Sequence, residues 1–316
     1  MKELIKKKFL ALIMVMVFVI VTIPACSSKG EEAKEEPLVF AVTYMTMNEP
    51  FYVLMNEGLQ PAIEAKGGEL IVLDGQFDQL KQVSDVEDMV QQGVDAIFVI
   101  PVDSQGIKPA LEACNKAGIP IINVDTLVED TDLVQAIVAS DNFELGRICA
   151  RNLAESMGGE GNVAIIDTSW IHSGYDRSVG FQEVMEEYPD INIVQIQDAE
   201  DCTTEDAIVV MEGFLQVYDD LDAVFATNDA MGLGCYAAIK SANMTDRIKI
   251  VSVDGSERVC ELIKEGEYFG SAAQFPKLMG EKAAEVAFAL LEGKEFNDSI
   301  YVDIDFVSEE NVDDFN

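Results

Sequence analysis

The chain has 316 residues, 49% of them hydrophobic, with 58 acidic against 21 basic side chains and a formal charge of −37. That field repels DNA, RNA and anionic lipid surfaces, so no nucleic-acid partner is expected. The length suits two domains of ordinary size, each able to bury its own core.

Residues 1–8, MKELIKKK, carry four lysines and one glutamate, and Phe9 to Val21 is an unbroken apolar run of 13 residues. Such a run is short for a membrane span and right for the apolar region of a signal peptide. Small residues then lead to a cysteine in IPAC (23–26), which resembles a bacterial lipobox whose cysteine is acylated; Ile23 and Pro24 are its less usual members. The alternative is an N-terminal anchor helix that happens to contain a cysteine. On the first reading residues 1–25 are removed, Cys26 is lipidated, and residues 26–37 form a disordered, polar tether. Acyl chains on Cys26 then hold the folded part against the outside of the cytoplasmic membrane. Losing residues 1–25 takes the charge from −37 to −40 over the 291 residues that remain.

Beyond the tether, β-rich runs alternate with helical patterns. The predicted strands of a first series are 38–44, 69–74, 96–101, 120–125 and 134–140; those of a second are 162–167, 192–198, 223–228, 249–254 and 270–274. Between them lie segments such as IKPALEACNKAG, which ends on Gly118 and is followed by Pro120, a helix stop before a new strand. A last helix from Pro276 and the run SIYVDIDFV (299–307) complete the pattern. Strand–helix–strand alternation predicts an α/β protein of two doubly wound, parallel-sheet domains.

Ligands of open parallel sheets bind beyond the carboxyl ends of the strands. The residues that end the predicted strands are Asp74, Asp125, Asp167, Asp198, Asn228, Asp254 and Gln274. Each is also a possible helix N-cap, the expected use of Asp74 and Asp198. Asp229 can cap its own helix, which would free the Asn228 side chain.

The stretch AVFATNDAMGLGCYAAIK (223–240) contains Gly232, Gly234 and Ala237 in G-x-G-x-x-A spacing, with Asp254 twenty residues after Gly234. In a dinucleotide fingerprint the first glycine turns directly after the strand. Here residues 228–231 intervene, so the glycines fall inside a helix and serve close packing on the sheet. No nucleophile elbow, phosphate loop, metalloprotease helix or calcium loop is present. His172 is the only histidine and has no organised partner in sequence; it lines a cleft or sits plainly in a loop. The five cysteines after Cys26 lack C-x-x-C spacing, so no zinc site or disulfide framework is expected. No catalytic residue, metal or cofactor is expected.

NEPFY (48–52), IPVDS (100–104), IPIINVD (119–125), VASDNFELG (138–146), YDRSVGF (175–181), AVFATNDAMGLG (223–234), VSVDG (251–255) and SAAQFP (271–276) occur in one order. Together they resemble the periplasmic sugar-binding proteins of ABC transporters, most closely the ribose-binding branch, over nearly all of residues 38–307. The resemblance implies the type I periplasmic binding protein fold, two α/β domains joined by three hinge crossings that close on a ligand. By the same resemblance the first domain is 38–139 with 275–303, the second 140–274 with 304–316. The crossings fall near Ala139-Ser140, Gln274-Phe275 and Ile304. The implied ligand contacts are Phe51, Tyr52, Asp125, Arg177, Asn228, Asp254 and Gln274. Carboxylates and a guanidinium grip neighbouring hydroxyls, and aromatic faces cover the apolar side of a sugar ring.

The ribose-binding pattern has asparagine where this chain has Glu49, arginine where it has Thr126, asparagine where it has Ile100 and an aromatic where it has Cys202. Two of these changes remove donors from the first-domain wall, so ribose is not the expected ligand. Glu49 is a further candidate contact, able to accept from hydroxyls or pair with a cation. Trp170, the only tryptophan, either supplies a stacking surface in the cleft or packs under its own loop. The expected function is that of a monomeric, extracytoplasmic lipoprotein delivering a small sugar or polyol to an ABC permease. A ligand sensor docking on a receptor kinase shares the fold. A sugar-responsive repressor would need a DNA-binding helix-turn-helix where the signal peptide stands. A nucleotide-using enzyme is the remaining alternative.

Overall fold

The computed structural model describes residues 37–315. The predicted signal peptide, the predicted lipidation site Cys26 and the predicted tether up to Glu36 lie outside the described residues.

Strand β1 (Val39–Tyr44) shows how each sheet is built. Phe40, Val42 and Tyr44 enter one buried cluster, while Ala41 enters the opposite one and Val39 packs against it. A period of two with both faces apolar is what a sheet covered by helices on both sides demands. The chain continues through α1 (Pro50–Ala65), β2 (Glu69–Asp74), α2 (Gln79–Gln92), β3 (Ala96–Val99), α3 (Lys108–Ala117), β4 (Ile121–Val124) and β5 (Ala136–Ser140). Asp78 caps α2 by accepting from the backbone N–H groups of Leu80 and Lys81. Gly118 ends α3 in the left-handed conformation, with φ 75°.

A second lobe follows: α4 (Asn142–Ser156), β6 (Glu160–Asp167), α5 (His172–Met185), β7 (Asp190–Asp198), α6 (Thr204–Val217), β8 (Ala223–Ala226), α7 (Asp229–Ser241), β9 (Lys249–Asp254), α8 (Glu257–Lys264) and β10 (Gly270–Ala273). Helix α9 (Pro276–Leu291) returns to the first lobe and packs on α1. The run 299–307 is two strands, β11 (Ser299–Val302) and β12 (Asp305–Val307), one in each sheet.

The first sheet has the order β11-β5-β4-β3-β1-β2, the second β12-β10-β9-β8-β6-β7. Neighbours are parallel throughout, except that β12 runs antiparallel to β10 at the edge of the second sheet. The chain therefore passes from sheet to sheet after β5, after β10 and between β11 and β12. Consecutive strands on either side of the first strand of each sheet create a switch in winding direction, where such sheets open a crevice.

Helices α1 and α9 approach closely through glycines. A Cβ on Gly58 would lie 1.9 Å from the Lys277 carbonyl oxygen, and one on Gly280 would lie 2.2 Å from that of Met55. Adding even one methyl group forces backbone apart. Gly280→Ala is expected to cost about 2 kcal/mol, read as a lower urea midpoint; an unchanged midpoint would contradict this packing.

Candidate ligand-binding site

The carboxyl ends of both sheets border one cleft of about 830 Å³ between the lobes. All seven predicted contacts line it, as does Glu49.

Asp125 follows β4 with φ 66°, its backbone N–H bonded to the Val138 carbonyl. It is 4% exposed, and its Oδ1 has no hydrogen-bond partner. Burial pushes its carboxyl up to about 6, opposed by the nearby Arg177 guanidinium. Gln274 follows β10 and is equally buried. Its Nε2 donates to Asp254 Oδ1 at 2.8 Å, which orients the amide and leaves Oε1 without a partner. Unpaired buried oxygens of this kind are costly unless something fills them.

Arg177, on α5, is 6% exposed. Its Nε donates to Asn142 Oδ1 at 2.8 Å and its Nη1 to the Thr227 carbonyl at 2.9 Å. Nη1 also lies 3.8 Å from Asp254 Oδ1. The fork is thereby locked in place before any ligand arrives. Asp254 ends β9 with φ 137° and accepts from the Asp229 backbone N–H at 3.3 Å. Burial holds its carboxyl above the usual range, with Arg177 acting against that.

Asn228 is not freed by its neighbour. It is itself the N-cap of α7, its Oδ1 accepting from the Met231 backbone N–H at 2.8 Å. Its Nδ2 is the group left to face the cleft. Asp229 is buried instead among Ser252, Ser271 and the backbone N–H of Ser256, which occupy both carboxylate oxygens. Asp74 and Asp198 are not helix caps either. Asp74 accepts from the backbone of Met47 and Gln76, and Asp198 from Ser169, so each clamps a loop beside its strand. Asp167 accepts from the adjoining Thr168 N–H.

Phe51 and Tyr52 meet edge to face, with centroids 5.4 Å apart. The Tyr52 hydroxyl donates to Met45 Sδ at 3.2 Å. Glu49 precedes α1 without capping it. Burial, then the charges of Asp254 and Glu205, push its carboxyl up. Trp170 does not line the cleft: it is 41% exposed, and the loop turns so that its neighbour Ile171 goes inward.

His172 is the first residue of α5, outside the cleft lining, with Nδ1 3.2 Å from Asp176 Oδ2. That hydrogen bond is the main cause raising its pKa above 6.5. A raised histidine stabilises the fold below its unfolded pKa and loses that contribution as pH rises through the folded value. Being the only histidine, it gives a single imidazole titration by NMR. The midpoint should lie above 6.5 and fall in Asp176→Asn; a midpoint indifferent to that change would contradict the pairing.

The departures from the ribose-binding pattern have distinct fates. Ile100 is in the first-lobe core. Thr126 is buried, and its Oγ1 accepts from the Ser173 backbone N–H of the other lobe at 3.2 Å. Neither lines the cleft. Cys202 does, with φ 56°, and joins Ile171 in an apolar cluster with Met45 and Tyr52 of the first lobe. The lobes thus touch through apolar side chains as well as one hydrogen bond. Of the six described non-glycine residues with positive φ, Phe77, Asp125, Cys202 and Asp254 border the cleft. Backbone strain concentrated there is characteristic of functional sites.

Sequence reasoning missed Asn142, the anchor of Arg177, and the lining residues Thr168, Ser173 and Glu205. Asn142 stood within a quoted motif, but only the fold shows what its side chain holds. Gly232 packs on Ser252 and Tyr268, and Gly234 on Thr204 and Ala207 of α6, so the second glycine serves a helix rather than the sheet. The cysteines at 114, 149, 202, 235 and 260 are buried free thiols.

Residues 40–295 match the family model of the periplasmic binding protein domain. The chain belongs to the periplasmic sugar-binding proteins of ABC transporters. As a member of this family it is an extracytoplasmic binding protein rather than an enzyme. It is 32% identical over 278 residues to the ribose import binding protein RbsB of Bacillus subtilis strain 168, covering 88% of this chain and 89% of that protein. To the xylitol-binding protein of Mycolicibacterium smegmatis it is 30% identical, over 92% of this chain and 82% of that one. A solute-binding protein from Actinobacillus succinogenes 130z, solved with bound D-allose, superposes with a TM-score of 0.82 at 31% identity. The superposition covers 88% of this chain and all of that one. The fold of this periplasmic sugar-binding protein is thus type I, and its fingerprint-like glycines are scaffold.

Proposed function

We propose that this protein captures a small sugar, polyol or related polar ligand in the interlobe cleft and delivers it to an ABC permease. The observation that carries the reading is the pair of buried, unpartnered oxygens, Asp125 Oδ1 and Gln274 Oε1, one from each side of a cleft that also holds a pre-fixed guanidinium and two aromatic rings. Hydroxyl groups would complete those oxygens, and Phe51 and Tyr52 would cover a ring face. The relatives named for ribose and xylitol support the ligand class. Closure would use the three chain crossings between the sheets as hinges, with Thr126–Ser173 and the Ile171–Cys202 cluster as the points where the lobes meet. Cys26, through acyl chains, would tether the protein to the membrane by residues 26–37.

A thermal-shift panel of pentoses, hexoses and polyols tests the capture. A ligand at about 100 times its Kd should add roughly 2.7 kcal/mol of stability. No shift across the panel would contradict the reading. The membrane anchor is tested separately: Cys26→Ala should move the protein from the membrane fraction to the soluble one, and retention in the membrane would contradict it.

A further inference from the structure

Six carboxylates line the cleft against two arginines. Three buried atoms of its lining have no hydrogen-bond partner: Asp125 Oδ1 and Gln274 Oε1, which accept, and the Ser256 hydroxyl, which can accept or donate. Glu49 projects from the first lobe and Glu205 stands exposed at the mouth of the second, and neither carboxylate has an ion-pair or hydrogen-bond partner among the described residues. Asp254 adds another carboxylate.

Two cations border this set. Arg258 is drawn to Glu261 on its own helix, and Arg177 already spends Nε on Asn142 and Nη1 on Thr227 while facing Asp254. The first lobe contributes no lysine or arginine to the lining. A neutral hydroxyl donates one proton and leaves the carboxylate charges uncompensated as closure removes water. An ammonium group presents three donors, no acceptor and a positive charge. The whole protein's field, with a formal charge of −37, also draws cations towards the cleft.

We infer that the ligand of this site carries a protonated amine on its hydroxylated frame, as an amino sugar or aminopolyol does, with Glu49, Asp125 and Gln274 as its acceptors. The inference rests on the sugar and polyol reading above and narrows it.

Calorimetric titration of the purified protein at pH 7 with matched pairs tests it: glucosamine against glucose, galactosamine against galactose, and 1-amino-1-deoxysorbitol against sorbitol. N-acetylglucosamine serves as the uncharged control. At least one amine is expected to bind on the order of tenfold tighter than its neutral partner, and its affinity should fall with added salt. Glu49→Gln, and independently Glu205→Gln, should narrow that ratio severalfold. Neutral members binding as well as or better than every amine would overturn the inference while leaving sugar capture standing. Equal ratios in wild type and both variants would overturn the assignment of these carboxylates. Silence from both members of every pair would overturn the inference and count against sugar capture as well.

Discussion

Asp125→Asn is expected to stabilise the ligand-free protein at pH 7.5 while weakening its ligand. The carboxyl is raised from 3.8 to about 6, mainly by burial. Between those values the folded state holds a proton that the unfolded chain has lost, so stability falls as pH rises through the window. Above it the full cost of a buried, underpaired carboxylate is in place, about 3 kcal/mol for a shift of this size. An amide removes that cost, and asparagine tolerates the left-handed backbone at this position better than alanine would. The gain in melting temperature should be large at pH 7.5 and vanish as pH falls well below 3.8, where both states are protonated. Binding should weaken by roughly ten- to a hundredfold, because a charge-assisted hydrogen bond becomes a neutral one. A variant less stable than wild type at pH 7.5, or one that binds as tightly, would contradict this view of Asp125.

Arg177→Met is expected to fail in both respects. The guanidinium ties α5 to the start of α4 through Asn142, to the end of β8 through Thr227 and to Asp254. Its removal strands the partly buried Asp254 carboxylate and two buried acceptors. Losing one member of such a group costs about 3–5 kcal/mol, measurable as a lower urea midpoint. Binding, measured at a low temperature where circular dichroism shows the variant folded, should be lost. Arg177→Lys keeps the charge but not the fork and should recover only part of the stability. An Arg177→Met protein with wild-type midpoint would show that the network does not hold the site together.

Much of the architecture was legible because each strand is a compact apolar run between turn residues. The limits of β2 and β9 agree with those read from ELIVLD and KIVSVD. The split of SIYVDIDFV into strands of different sheets was harder to see, since its alternating pattern continues across the crossing at Asp303-Ile304. The cleft residues were legible from their position at strand ends and from the ordered motifs. Their partners were not. Whether Asn228 or Asp229 caps α7 depends on Ser252 and Ser271, which come near only in the folded sheet. The fate of Trp170 depends on how one loop turns, and local sequence does not encode that choice. Thr126 reads as a lost donor, but its contact with Ser173 across the lobes exists only when the lobes meet.

The most direct measurement is a crystal structure of the protein with the compound that gives the largest stabilisation. The ligand should lie between the lobes, donating hydrogen bonds to Asp125 Oδ1 and Gln274 Oε1 and touching the Arg177 guanidinium, with a ring or carbon face against Phe51 or Tyr52. A ligand seated outside the cleft, or one that leaves both oxygens without a partner, would contradict it.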